Sequence, residues 1–342
     1  MNLDLLKATA RAMVAKGKGL IAMDESAPTI AKRFKKVGIE DNVENRRAYR
    51  QLLLSTPGLS NYISGAILFD ETIRQTTTDG VPFADYMKKL GIIPGIKVDK
   101  GMKDLAGFPG EKVAEGLDGL RERLVEYYAM GARFCKWRAT IEIGPGIPTA
   151  FCIDANAHAL ARYSALCQEA GLVPMVEPEV LIDGKHTLEQ CYDASVATLR
   201  ALFQQLAEHR VAFEGAILKA SMVISGLEAP KRAGVDDVAD ATVRCLRETV
   251  PASLAGVVFL SGGQGNEEAT AHLNAMNARH PALPWPLTFS YSRALQSPVM
   301  EAWLGKTANA TTAQQQLQRR AKFNGLAATG SYKPQMEKEA VV

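Results

Sequence analysis

The chain has 342 residues, 47% hydrophobic and 23% charged, which is globular composition with material for a large core and excludes disorder or a fibrous architecture. Forty Lys and Arg against 37 Asp and Glu leave a net charge of +3, small and well mixed, so neither nucleic acid nor a membrane surface is an expected partner. No stretch approaches about 18 consecutive apolar residues, the length a membrane span requires.

The opening residues, MNLDLLKATARAMVAKGKG, have amphipathic helical spacing with scattered charges, unlike a secretory signal, and predict a cytoplasmic chain. Short apolar runs suited to buried parallel strands then recur: GLIAM at 19–23, ISGAILF at 63–69, IIPGIKV at 92–98 and ARFCKW at 132–137. LVPMVEP at 172–178, FEGAILK at 213–219, GVVFLS at 256–261 and PLTFSY at 286–291 follow. Helical spacing separates them. Leu117, Leu120 and Leu124 mark one helix, and Asp154 as N-cap opens another through Leu160, Tyr163 and Leu166 to Gly171. Thr187 and Gln190 in capping-box spacing open a third, through Val196, Leu199, Phe203 and Leu206. An Ala/Gln-rich helix is expected from about 308, then a mobile polar tail over 330–342. Eight strands interleaved with helices, without linker or composition shift, predict a single-domain α/β protein over 1–342, a (β/α)8 TIM barrel with an N-terminal helix. A doubly wound sheet is the weaker alternative.

Chemistry in such a barrel is done at the C-terminal ends of the strands. Here those ends carry Asp24, then Lys97 and Asp99, Lys136 and Arg138, Glu177 and Glu179, Lys219, Ser261 and Ser290. Alternation puts Lys136 with Arg138, and Glu177 with Glu179, on common faces, so neighbouring strands bring Lys136, Glu177 and Lys219 together. A lone strand-end lysine is ordinarily a solvated rim charge, and a Lys–Glu pair can be purely structural. Seven strands ending this way weaken the first reading, while a purely structural Lys–Glu pair stays open. After the seventh run, Ser261-Gly262-Gly263-Gln264-Gly265 precedes a helix start, and after the eighth, Ser290-Tyr291-Ser292-Arg293 supplies hydroxyls and a guanidinium. Backbone N–H groups at glycines, a helix N-terminus and Arg together predict a phosphate site. Lys32 and Arg33, with Lys97 and Arg138, form a second basic group suited to another anion, and hence to a substrate phosphorylated at both ends.

Neither a GxGxxG nor a P-loop pattern occurs, and the five histidines show no zinc spacing, so no metal or cofactor is expected. The five widely spaced cysteines, Cys135, Cys152, Cys167, Cys191 and Cys245, read as buried free thiols. Crowded lysines in a metal-free site suggest covalent amine catalysis, because an amine near other cations loses its proton more readily and attacks a ketone. Lys219, at the end of an apolar strand, is the best-placed amine, with Asp24, Glu177 and Glu179 available to move protons.

These segments, together with ENRRAYRQLLL at 44–54, VEPEV at 176–180 and LTFSYSRALQ at 287–296, resemble the class I (Schiff-base) fructose-bisphosphate aldolases over nearly the whole chain. The resemblance implies that Lys219 forms the Schiff base and Glu177 is the acid/base of carbinolamine formation and dehydration. Asp24 would take the proton of the C4 hydroxyl, Lys136 would assist electrostatically, and Glu179 would support the site. Ser261, Gly262 and Arg293 would hold the dihydroxyacetone-phosphate end, with Ser290 nearby. Lys97, Arg138, Ser26, Thr29, Lys32 and Arg33 lie where the family binds the other phosphate. It also implies a cytoplasmic homotetramer of glycolysis and gluconeogenesis. The alternatives are a transaldolase-like Schiff-base transferase on phosphosugars and a non-catalytic scaffold of the same fold.

Three features depart from the family pattern: Lys219 is followed by Ala220 and Ser221 where Pro and then Asn or Ser are usual, Ser292 stands where Gly is usual, and the chain ends in Ala340-Val341-Val342 rather than Tyr. Tyr332 does not match that terminal residue, so C3 proton transfer is expected to fall to Glu177 or the bound phosphate.

Overall fold

A computed structural model describes residues 2–338. Its strands are β1 (Gly19–Ala22), β2 (Ile63–Leu68), β3 (Ile93–Lys97), β4 (Met102–Asp104), β5 (Lys112–Ala114), β6 (Phe134–Ile141), β7 (Val173–Val180), β8 (Ile217–Ala220), β9 (Gly256–Phe259) and β10 (Leu287–Tyr291). The first six helices are α1 (Leu3–Met13), α2 (Ala27–Lys36), α3 (Val43–Leu54), α4 (Asp70–Ile73), α5 (Phe83–Lys89) and α6 (Leu120–Ala129). The others are α7 (Ala150–Glu169), α8 (Leu188–Glu208), α9 (Val235–Thr249), α10 (Asn266–Arg279), α11 (Arg293–Trp303) and α12 (Ala310–Ala327).

All eight expected strands close into one parallel barrel, β1-β2-β3-β6-β7-β8-β9-β10, with β10 returning to β1. One side of each strand faces the barrel interior and the other lies under helices. Both faces being dry, β1, β2 and β7 to β10 bury every residue and are predominantly apolar, with charged and hydroxyl residues confined to a few positions. The hairpin β4–β5, inserted after β3, is antiparallel and was not foreseen, since its short strands carry no alternating pattern. Glu111 secures it by accepting from the Thr149 backbone N–H at 2.7 Å and the Thr149 hydroxyl at 2.6 Å.

Leu20, Ile67, Phe134, Met175, Ile217 and Val258 form an inner core with Leu6, Ala10 and Met13 of α1. The helical spacing read from the N-terminus thus serves to close the barrel floor. Val14 lies against Gly256 at the start of β9, where a Cβ would meet it at 2.8 Å, and the Ser64 hydroxyl donates to the Met13 carbonyl at 2.6 Å. Within the barrel, the Phe134 ring occupies the space where a side chain at Gly95 would be, 2.1 Å from its Cβ position.

Threonine hydroxyls set the starts of α7 and α8. The capping box of α8 forms as expected, with the Thr187 hydroxyl accepting from Gln190 N–H at 3.2 Å and the Gln190 amide oxygen from Thr187 N–H at 2.9 Å. α7 is capped by Thr149, not Asp154, which lies inside the helix, because the Thr149 hydroxyl accepts from Cys152 N–H at 3.2 Å. α6 starts only after Gly119, whose positive φ turns the chain, so Leu117 packs from the preceding turn.

The described part of the segment expected to be mobile is tethered. Tyr332 is buried, its N–H donates to the Asn274 side chain at 2.9 Å, and its hydroxyl donates at 3.0 Å to Glu337, which also pairs with Arg320. Ala340, Val341 and Val342 lie outside the described residues. The five cysteines are buried and free, and no described helix is long and apolar enough to cross a membrane.

Candidate active site

A cavity of 940 Å³ opens at the C-terminal ends of the strands and is lined by every one of the fifteen residues singled out from the sequence. At its floor lies a chain of four charges. Lys219 Nζ sits 3.0 Å from Glu177 Oε1, Lys136 Nζ lies 2.7 Å from Glu177 Oε2, and Lys136 Nζ donates to Asp24 Oδ2 at 2.9 Å. All four side chains are almost wholly buried. The parallel register sets Arg138 beside Glu177 and Thr140 beside Glu179, yet the ion pairs run diagonally, Lys136 to Glu177 and Arg138 to Glu179. Strand stagger in a closed barrel brings residues two positions apart to one level.

Burial alone would raise the Asp24 and Glu177 pKa values. For Asp24, Lys136 and Lys219 outweigh it; for Glu177, Lys136, Lys219 and Arg138 do, so both carboxyls are held below their ordinary range. Burial would lower the Lys136 pKa, but Asp24 and Glu177 drive it well above the ordinary lysine value. Lys136 is therefore a fixed cation clasped by two carboxylates, whereas Lys219 has a single carboxylate partner.

On one side of this floor lies an anion cradle. Gly262 and Gly263 have φ of +59° and +117°, conformations that glycine adopts without strain, and a Cβ at Gly263 would stand 3.6 Å from the Arg293 guanidinium. Ser261 is buried beside them, and the buried Ser290 hydroxyl has no hydrogen-bond partner among the described residues. Arg293 makes no ion pair among the described residues; burial and the neighbouring Arg33 hold its pKa below the usual guanidinium value. Across the mouth, Ser26 and Thr29 share a 3.1 Å hydrogen bond at the start of α2, one turn before exposed Lys32. Lys97 pairs with Asp99 at 2.7 Å.

Sequence reasoning missed Glu25. Its carboxylate is buried beneath the cradle, with Arg50 Nη2 at 3.0 Å on one oxygen and Arg33, Ser292 and Gln296 on the other. The signal was available in a second carboxylate directly after Asp24, but its partners come from three helical segments, α2, α3 and the start of α11, the last more than 250 positions away. Lys36 and, from the unforeseen hairpin, Lys112 also line the cavity. An amine, an adjacent proton carrier, a fixed cation and an anion cradle in one cavity suit attack on the carbonyl of a phosphorylated sugar.

Comparison with known proteins agrees. A sequence model of the family described as "Fructose-bisphosphate aldolase class-I" matches residues 5–342. A protein of Xanthomonas axonopodis pv. citri, named probable fructose-bisphosphate aldolase class 1, is 64% identical over 97% of this chain and 100% of its own length. The spinach (Spinacia oleracea) protein named fructose-bisphosphate aldolase, cytoplasmic isozyme, is 49% identical over 96% of this chain and 92% of its own. The fold superposes with a TM-score of 0.95 on fructose-bisphosphate aldolase from Plasmodium falciparum, solved in complex with TRAP and a small-molecule inhibitor, at 49% identity over 96% of this chain and 95% of that one. A barrel with this strand-end chemistry, matched by sequence from end to end, belongs to the class I fructose-bisphosphate aldolase family.

Proposed function

We propose that reversible, metal-independent cleavage of fructose 1,6-bisphosphate to dihydroxyacetone phosphate and glyceraldehyde 3-phosphate runs through a Schiff base on Lys219. The observation that carries this assignment is the unequal pairing of the two buried lysines: Lys136 contacts two carboxylates and Lys219 one. Passing the Nζ proton of Lys219 to Glu177, 3.0 Å away, produces both species the first step needs, a neutral amine and a carboxylic acid. The amine adds to the C2 carbonyl; Glu177 returns the proton to the resulting hydroxyl, which leaves as water and creates the protonated imine. Asp24 then accepts the C4 hydroxyl proton as the C3–C4 bond breaks, and its electron pair flows into the imine to give an enamine. Lys136 remains cationic and stabilises negative charge developing at the C4 oxygen, while Glu179, paired with Arg138, supports the site. Asp24 releases its proton to solvent. Glu177 or the bound phosphate, reprotonated from solvent, protonates C3, and hydrolysis of the imine by water completes the turnover.

Ser261, Gly262, Ser290 and Arg293 hold the ketone-side phosphate in this reading. Lys97, Arg138, Ser26, Thr29, Lys32 and Arg33 are available to the other. The family resemblance supports a homotetramer, and the name of the spinach isozyme supports a cytoplasmic location. The test is peptide mass analysis after incubation with dihydroxyacetone phosphate and borohydride. A reduced adduct on Lys219, absent from Lys219→Met, is expected; cleavage activity surviving in that variant would sink the assignment.

A further inference from the structure

We propose that Ser292 is a positioning residue, whose hydroxyl fixes Arg33 beside Arg293 so that both guanidiniums serve the ketone-side phosphate. This rests on the reading of Arg293 as a phosphate ligand, and it moves Arg33 from the distal phosphate, where the family resemblance put it. Ser292 occupies the N-cap position of α11 but does not cap it with its side chain. Instead, the hydroxyl donates to Glu25 Oε1 at 2.9 Å and accepts from Arg33 Nη1 at 2.8 Å and Gln296 Nε2 at 3.1 Å. One donor and two lone pairs are all that a serine hydroxyl has, and each is used.

The three partners belong to different elements: Glu25 follows β1, Arg33 is on α2, and Gln296 is on α11. The knot therefore ties the first βα unit to the last, at the residue immediately before Arg293. A glycine here, as the family pattern has, leaves Arg33 with its Glu25 contact alone. Charge points the same way. One buried carboxylate, Glu25, stands against two guanidiniums, Arg33 and Arg50, while Arg293 makes no ion pair among the described residues. The excess positive charge suits a phosphate dianion bound between Arg33 and Arg293. Arg33 keeps partial solvent exposure, whereas Arg50 and Glu25 are sealed, so Arg33 is the member of the cluster that reaches a ligand.

Fructose 1-phosphate carries only the ketone-side phosphate, so comparing it with the bisphosphate identifies the end that Arg33 serves. Ser292→Ala is expected to raise KM for both substrates by about five- to tenfold, the loss of one charge-assisted hydrogen bond, with kcat within about twofold. Ser292→Gly, which adds no atoms at the junction, should behave alike. In an Arg33→Ala background, Ser292→Ala should add nothing further, as required of a residue acting through Arg33. A KM change for the bisphosphate alone overturns the proposal, as do unchanged KM values for both or full multiplicativity of the two substitutions. Arg293→Ala separates the underlying reading: unchanged KM values there would remove the phosphate assignment itself, and the role of Ser292 with it.

Discussion

Replacing Glu177 with glutamine tests the mechanism most directly, because the change preserves shape while deleting the charge that two buried ammoniums share. The contacts at 2.7 and 3.0 Å each correspond to about 6 kcal/mol of Coulomb attraction at an effective dielectric of about 20. The stability loss is smaller, about 3–5 kcal/mol at most, since Lys136 retains Asp24 and an ammonium left without a partner sheds its proton. That response preserves an attacking amine but not the acid that expels water. Glu177→Gln should therefore slow borohydride-trappable adduct formation by about 10²- to 10⁴-fold, the usual contribution of a general acid. Asp24→Asn provides the contrast: it should form the trappable adduct from the bisphosphate at a rate within about tenfold of wild type, yet release almost no aldehyde. Rapid quench with borohydride, followed by mass analysis of the Lys219 peptide, reads the first step, and a coupled aldehyde assay reads the second. If Glu177→Gln forms adduct at the wild-type rate while aldehyde release collapses, Glu177 does not catalyse carbinolamine dehydration and the division of labour is wrong.

Two further outcomes concern stability. Asp24 and Glu177 have folded-state pKa values below their ordinary ones, so their contribution is complete above the unfolded carboxylate range and declines as pH falls below about 4.5 toward the folded values. Lys136→Met removes the cation chiefly responsible, so the stability gap between wild type and variant should narrow on acidification from pH 6 to pH 3; thermal melts showing a constant gap would contradict this. Met13→Ala leaves a void under the barrel floor and should cost about 2–5 kcal/mol, seen as a lower denaturant midpoint with KM unchanged. An altered KM would mean that α1 influences the cavity at the opposite end.

By itself, the sequence determined the barrel and the inventory of its site. The barrel strands are buried on both faces, so apolar runs such as GVVFLS had to contain strands, and the hydrophilic side chains at their C-terminal ends, Asp24, Lys136, Glu177 and Lys219, had to meet at one rim; the run FEGAILK opens differently, with a 3₁₀ turn over Phe213–Gly215 before β8. The capping box at Thr187 and Gln190 was legible for the same reason, since both partners lie within one turn. Tertiary structure decided the pairings. Strand stagger joined Lys136 to Glu177 and Arg138 to Glu179, and left Lys219 with one carboxylate where Lys136 has two. The Glu25, Arg50, Arg33, Ser292 and Gln296 cluster depends on hydrogen bonds spanning more than 250 positions, with Arg33 reaching Ser292 and Glu25 reaching both Ser292 and Gln296. The tether at Tyr332 and Glu337 likewise needs α10 and α12 in place. Local patterning specifies which side of an element is dry, but a hydrogen bond between distant residues exists only after closure of the barrel has set its distance and angle.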